Sequence, residues 1–241
     1  MSRVDYINSI IDSLNLEPSE NIFYESGTSK IKQIQYLHNY HEEFQKIIEE
    51  LRPIAQYLTG EKELNVLNMQ LFEKHPKISK PTRSHQDNAY FKITPPIALT
   101  FWISLDHIDR TNGAIHYAPY THITPTRRHQ RYNKNTTFRM RSGVPGLSLC
   151  LHEHTEETDI VMETRPGDIL VHHCNLIHRA EKNESIDKRR RAIGVIFIPI
   201  ICKADTQLVK YHNDQLSEDI ELQKYKNPEL YSKIVEQYRY L

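Results

Sequence analysis

Two separate parts of the chain carry side chains whose types and spacing suit a metal ion. Ser84-His85-Gln86-Asp87 offers an imidazole and a carboxylate two residues apart. At a strand end, residues i and i+2 project to the same side, so both could face one ion. His178, far along the chain, fits as a third ligand. Two His and one carboxylate on one face of an octahedron leave positions open for other ligands, and this N/O set favours Fe(II) oxygenase chemistry. Fourteen His in 241 residues also supply decoys. His107-Ile108-Asp109 repeats the spacing, and His152-Glu153-His154 is a His-x-His. The first lies beside the Thr111-Asn112-Gly113 turn and reads as a solvated loop. The second lies in the acidic stretch 153–159 and reads as exposed surface.

The elements that would position these residues follow from hydrophobic periodicity. Val4, Ile7, Ile10, Ile11 and Leu14 recur at helical spacing. A longer helix is predicted from about Asn39 to Leu58, with Phe44, Ile47, Ile48, Leu51 and Ile54 as its apolar stripe and Gly60 as its stop. From Leu64 to Ile200 short strand-like runs alternate with turns. Between Ile97 and Leu105, Leu99, Phe101, Ile103 and Leu105 alternate with Thr100, Trp102 and Ser104. The polar set should line a barrel interior. Asn112-Gly113 signals a hairpin into Ala114 to Ala118. Pro166-Gly167-Asp168 is a turn feeding Ile169 to His173, and Arg191 to Ile198 reads as a buried strand. The charged tail from Thr206 reads as helical. This pattern predicts a mainly β chain with flanking helices, an antiparallel double-stranded β-helix of jelly-roll, cupin-like form. One domain over 1–241 is expected, with 1–63 as helical support, 64–200 as the core and 201–241 as a helical tail.

Composition narrows the class. Thirty-one Lys+Arg balance 31 Asp+Glu, which gives no global argument for nucleic acid or an anionic membrane. Cys150, Cys174 and Cys202 form no Cys-x-x-Cys pair, so neither a structural zinc site nor a disulfide framework is expected. The longest apolar run, Gly194 to Cys202, contains Pro199 and is far too short to cross a bilayer. The first residues mix charged and apolar side chains without a signal-peptide core. A cytoplasmic location is expected.

The chain resembles the phytanoyl-CoA dioxygenase family of Fe(II)/2-oxoglutarate oxygenases from about Leu67 to Phe197. The resemblance rests on Leu71-Phe72-Glu73-Lys74-His75-Pro76, on 85–91 (HQDNAYF), on Trp102, on Arg110-Thr111-Asn112-Gly113, and on 167–173 (GDILVHH). His178, Asn183-Glu184-Ser185 and the basic run Lys188 to Arg191 complete it. It implies that His85, Asp87 and His178 hold Fe(II), with 2-oxoglutarate and O2 as cosubstrates. The family's distal His is followed eleven residues later by an Arg that binds the 2-oxoglutarate C5 carboxylate. That spacing selects His178 over His172 and His173, and it selects Arg189. A planar guanidinium offers a carboxylate two parallel donors, a geometry Lys cannot reproduce. By strand alternation Arg190 should then point away from the cavity, with Arg191 on the side of Arg189. Similarity also puts Trp102 beside 2-oxoglutarate and Gln70 on the same wall; Tyr90 and Thr100 are further candidate contacts. Two departures stand out. The family's Pro-Gly-Ser-His is Pro119-Tyr120-Thr121-His122 here, so a different turn conformation is expected. Ala180 replaces a small polar residue that would touch 2-oxoglutarate.

The implied reaction couples oxidative decarboxylation of 2-oxoglutarate to hydroxylation of a small-molecule C–H bond. Related halogenases lack the carboxylate ligand, so Asp87 favours hydroxylation, although desaturation, cyclisation and epimerisation use the same triad. A non-catalytic jelly roll with a structural or sensory metal is the competitor from another class. A zinc hydrolase would leave the Arg unexplained. Between His122 and Arg141 lie Arg127, Arg128, Arg131, Lys134, Arg139 and Arg141 with no Asp or Glu. This segment either attracts an anionic substrate or is a solvated face paired with the acidic stretch 153–159.

Overall fold

The computed structural model of the chain describes residues 1–17, 19, 21–131, 138–140, 149–151, 154–211 and 213–214. Helix α1 (Arg3–Ser13) opens on a capping box, in which the Ser2 hydroxyl accepts from the Asp5 N–H and the Asp5 carboxylate accepts from the Ser2 N–H. Two short strands follow, β1 (Ile22–Glu25) and β2 (Ile31–Ile34), joined through Gly27 at φ +76°. Helix α2 (Glu42–Thr59) ends at Gly60, whose left-handed backbone caps it. The predicted helix start at Asn39 is therefore three residues early; Leu37–Asn39 forms a separate 3-10 turn. The predicted stripe differs at one position. Ile54 is half exposed, and Ala55 is the buried residue.

The remaining strands are β3 (Leu64–Lys74), β4 (Thr82–His85), β5 (Ile93–Thr94), β6 (Leu99–Ser104), β7 (Ile115–Tyr117), β8 (Gln130–Arg131), β9 (Phe138–Met140) and β10 (Leu149–Cys150). They continue with β11 (Ile160–Met162), β12 (Ile169–His173), β13 (His178–Ala180), β14 (Arg190–Pro199) and β15 (Lys203–Ala204). A short helix, α3 (Asn88–Phe91), follows β4. Seven strands form one antiparallel sheet in the order β12-β6-β14-β3-β2-β1-β9, and four form a second in the order β11-β7-β13-β4.

The two faces of the large sheet have different partners. Met69, Leu71, Phe101, Ile193, Val195 and Phe197 pack outward against Ile7, Ile10, Phe44, Ile47 and Leu51 of the two helices. Trp102 and Ala192, with Phe72 and Leu170, point inward and meet Ile115, Ala180, Tyr117 and Val161 of the small sheet. These are the two layers of the expected jelly roll, and the alternation read in β6 sorts its residues correctly between them.

Two local expectations are corrected. Residues 1–63 are not purely helical, because β1 and β2 extend the large sheet. Asn112-Gly113 does not close a hairpin: β6 pairs with β12 and β14, whereas β7 pairs with β11 and β13. The turn instead carries the chain from one sheet to the other. Asp109 Oδ1 accepts from the Thr111 and Asn112 N–H groups, and Gly113 sits at φ +101°. The tail is helical from Thr206 as far as it is described, with Asp205 accepting from the Gln207 and Leu208 N–H groups. The rest of the predicted tail helix lies outside the described residues.

Candidate active site

β4 and β13 are neighbours in the small sheet, and their register sets His178 opposite His85. Their rings approach to 4.2 Å between centroids. Asp87 is not on the strand, as the i, i+2 argument supposed. It occupies the N-cap of α3 with helical φ −59° and ψ −33°, so a turn, not the pleat, brings its carboxylate back beside His85. Asp87 Oδ1 lies 3.7 Å from His85 Nε2 and 3.6 Å from His178 Nε2.

Local hydrogen bonds orient both rings. His85 Nδ1 donates to the Arg83 carbonyl at 2.7 Å, and His178 Nδ1 donates to the Leu176 carbonyl at 2.9 Å. Each bond leaves Nε2 as a lone-pair donor toward Asp87, the tautomer a metal needs. Burial pushes both imidazoles below their ordinary range and keeps them neutral. Burial also opposes ionisation of Asp87, but its carboxyl is held below the usual range, with the hydrogen bond from His172 contributing. Two neutral imidazole nitrogens and one carboxylate oxygen, all within 4.8 Å of one another, match the donor set of a divalent transition metal. Among the described residues this is the one such cluster.

The decoys fall away. His107 is exposed, and Asp109 is committed to its turn and to Lys188. His154 pairs with Asp159 at 2.9 Å, and His152 lies outside the described residues. Glu156 and Asp159 of the acidic stretch pair with Arg179, so among the described residues they do not serve the basic segment.

Arg189 is the principal correction. It lies 38% exposed on the outer side, 3.6 Å from Asp12 and 3.7 Å from Asp106. Arg191 shares that side, bound to Glu73 at 3.1 Å and Asp12 at 2.6 Å. Arg190, expected to point away, is 2% exposed and faces inward. Register decides this: Arg190 stands opposite Lys74 and continues the inward row Ala192, Gly194 of β14. Its guanidinium lies 5.3 Å above the Trp102 ring, which stacks on Phe72 at 5.1 Å. Its Nε and Nη1 are buried without a hydrogen-bond partner. Burial lowers its pKa to about 10. Lys32 and Lys74 lie close enough to be affected by its charge, with buried Glu25 as counter-charge. Arg190 is thus a buried cation with two unfilled donors.

The remaining predicted contacts divide. Trp102 is on the inner wall beneath Arg190. Gln70 stands on the same wall opposite Gly194, with its carbonyl taken by the Gln33 amide. Tyr90 packs edge-on to His85 at 5.7 Å, but its hydroxyl is bound to the Leu149 backbone, accepting from N–H at 2.9 Å. Thr100 donates to Asp87 Oδ2 at 2.8 Å and so holds the carboxylate. Tyr120 takes φ +64°, the left-handed region glycine favours, so the expected change of turn is not found.

Two features escaped sequence reasoning. His172 Nε2 lies 3.2 Å from Asp87 Oδ2. The clue was available: His172 pairs with Thr100, already read as inward-facing. Gln86, fully buried between the two ligands, binds a distant segment. Its amide donates to the Asn175 carbonyl at 2.8 Å and its carbonyl accepts from the Arg127 N–H at 2.7 Å. The Gln86 N–H donates to His129 Nε2 at 2.8 Å, while Thr126 bonds Asn88 and Asn175. Residues 124–129 are thereby fastened to the ligand-bearing loop. No local pattern announces such a clamp.

Comparison with known proteins identifies the family and the fold. The family model described as phytanoyl-CoA dioxygenase (PhyH) matches residues 6–192. Peroxisomal phytanoyl-CoA dioxygenase of Bos taurus is 26% identical over 206 residues, 80% of this chain and 56% of that protein. The chain spans 40–56% of the length of the curated relatives it matches. EvdO2 from Micromonospora carbonacea var. aurantiaca, solved with 2-oxoglutarate, superposes with a TM-score of 0.63 at 23% identity, covering 80% of each chain. SnoK, a non-heme alpha ketoglutarate dependent carbocyclase from nogalamycin biosynthesis, superposes with a TM-score of 0.60 at 20% identity, covering 87% of this chain and 83% of its own. These two likenesses establish the jelly-roll fold. The family match spans most of the sequence, and this chain belongs to the phytanoyl-CoA dioxygenase family.

Proposed function

We propose that this chain is an Fe(II)- and 2-oxoglutarate-dependent dioxygenase that hydroxylates an unactivated C–H bond of a small molecule. One O2 and one 2-oxoglutarate would be consumed for each hydroxyl formed, with release of succinate and CO2. The observation that carries the reading is the coincidence of two features inside one barrel. The His85, Asp87 and His178 cluster shares the interior with a buried Arg190 whose Nε and Nη1 lack a partner.

His85, Asp87 and His178 would hold the iron, which supplies O2 activation when bound. Arg190, in place of Arg189, would grip the distal carboxylate of 2-oxoglutarate, since it alone of the three consecutive arginines faces inward unpaired. Trp102 and Phe72 form an apolar floor that excludes water there and strengthens the ion pair. Gln70 lies on the same wall. With Asp87 retained as a ligand, the position that halide takes in related halogenases is filled, which supports hydroxylation.

The substrate we favour is an anionic small molecule. Arg127 and Arg128 are exposed on the segment that Gln86 fastens to the ligand-bearing loop, which supports this choice. The other basic residues of 122–141 have side chains outside the described set. We infer a single oxygenase unit over 1–241, acting in the cytoplasm, without nucleic acid or membrane as partner. Among the described residues no helix is long and apolar enough to cross a membrane.

The test is anaerobic reconstitution with Fe(II) and 2-oxoglutarate, then exposure to O2 with a panel of small carboxylates, phosphates and neutral compounds, read by succinate. Substrate-dependent succinate with a hydroxylated product is expected, with apparent affinity weakening as salt rises. Metal binding without succinate from any substrate would support a non-catalytic jelly roll instead.

A further inference from the structure

We propose that His172, oriented by Tyr117, is a positioning residue that works with Thr100 to present Asp87 to the metal through one oxygen only. This rests on the metal reading above. The two oxygens of Asp87 have different surroundings. Oδ1 faces the Nε2 atoms of His85 and His178, at 3.7 and 3.6 Å. Oδ2 faces away from them, 2.8 Å from Thr100 Oγ1 and 3.2 Å from His172 Nε2.

The direction of these bonds follows from the Asp87 carboxylate, and Tyr117 completes the chain. Tyr117 stands opposite His178 in the small sheet and faces the same interior. Its hydroxyl is 2.8 Å from His172 Nδ1. Asp87 Oδ2 can only accept, so His172 Nε2 carries the hydrogen, and the phenol, protonated at neutral pH, donates to Nδ1. A neutral imidazole that accepts at Nδ1 carries its hydrogen on Nε2, and that hydrogen points at Asp87 Oδ2. Thr100 supplies the second donor from the facing strand. His172 also packs on the distal ligand, 4.7 Å between ring centroids. Oδ2 is thus occupied by two donors, and Oδ1 is left as the ligand atom. A carboxylate bound through both oxygens would take up a further coordination position, one that a cosubstrate chelate needs. Hydrogen-bonding partners of this kind fix the orientation of metal ligands.

The test is calorimetric Mn(II) titration of the metal-free chain without 2-oxoglutarate, for the parent, Asp87→Ala, His172→Phe, His172→Gln and Tyr117→Phe. His172→Phe keeps the ring and removes the donor, and it should weaken Mn(II) binding about tenfold or more. His172→Gln places an amide N–H near the position of Nε2 and should bring affinity back to within about threefold of the parent, as a restored outer partner would. Tyr117→Phe frees the imidazole to change tautomer and should fall between the two. Thermal melts establish that each variant is folded; should His172→Phe not fold, His172→Asn, whose amide falls short of Asp87, replaces it. Parental affinity in the donor-free variant overturns the proposal. So does a folded Gln variant as weak as the Phe variant. Complete loss in His172→Phe, equal to Asp87→Ala, would make His172 a ligand and also overturn it. If the parent binds no Mn(II), or Asp87→Ala binds as well as the parent, the metal reading itself fails, an outcome distinct from a neutral His172→Phe.

Discussion

Replacing Arg190 by Met separates a ligand-binding role from a structural one. The substitution keeps an unbranched apolar stem and removes the guanidinium. Without a bound anion the buried charge is a liability. Burial lowers its pKa from 12.5 to about 10, which corresponds to roughly 3 kcal/mol of cost in holding the cation at neutral pH. Stacking on Trp102 at 5.3 Å returns about 1–2 kcal/mol of this. Arg190→Met should therefore be no less stable than the parent when ligand-free. Toward 2-oxoglutarate the sign reverses. Loss of charge-assisted hydrogen bonds to a carboxylate costs about 1.5–3 kcal/mol, so affinity should fall roughly 10- to 100-fold. Arg189→Ala removes only partly exposed pairs with Asp12 and Asp106 and should leave affinity within about threefold of the parent. The assay is anaerobic calorimetry of 2-oxoglutarate into the Mn(II)-loaded chain, with melts at saturating ligand as a second reading. At a hundred times its dissociation constant a ligand stabilises by about 2.7 kcal/mol, and Arg190→Met should lose about 1.3–2.3 kcal/mol of that gain at the same concentration. Equal losses from Arg189→Ala and Arg190→Met, or intact affinity in Arg190→Met, would refute the assignment.

His85→Ala, Asp87→Ala and His178→Ala should each abolish measurable Mn(II) binding in calorimetry. Asp109→Ala should retain it while lowering stability by about 1 kcal/mol, because the turn loses bonds to Thr111 and Asn112. Gln86→Ala strands the buried Asn175 carbonyl and the Arg127 N–H, so denaturant titration should show a loss of about 2–4 kcal/mol. His129 gives a pH prediction for the metal-free chain. Burial lowers its pKa from 6.5 to about 4, so between those values the unfolded chain binds the proton and the folded chain does not. Its contribution is complete above pH 6.5 and is lost as pH falls, by about 3 kcal/mol at pH 4. His129→Gln keeps an acceptor for the Gln86 N–H without titrating, and the difference between its stability–pH curve and the parent's should have that sign and size.

Some of this protein was legible in the residues alone. The alternation of Leu99 to Leu105 assigned Thr100 and Trp102 to the interior, because a pleated strand has a fixed period of two and one of its faces must be apolar against the helices. The stripes Ile7, Ile10, Ile11 and Phe44, Ile47, Ile48, Leu51 identified both helices for the same kind of reason. His85-x-Asp87 was not the sole His-x-Asp pair in a His-rich chain, and the family resemblance, not the spacing alone, singled it out together with His178. What the residues could not settle was parity and pairing. Counting eleven from His178 reaches Arg189, but chain distance across a loop does not say which face a residue takes when the next strand begins. The pairing of Arg190 with Lys74 on β3 decides that, and a slip of one residue exchanges inside for outside. His172 became a neighbour of Asp87 only when β12 paired with β6, and Tyr117 reached it only across the two sheets. Ile22–Glu25 and Ile31–Ile34 are too short to declare themselves as strands, and they became so by adding to an edge already formed by β3. Local composition governs elements and the types of ligand available; contacts between residues a hundred positions apart govern which of two adjacent arginines meets the interior.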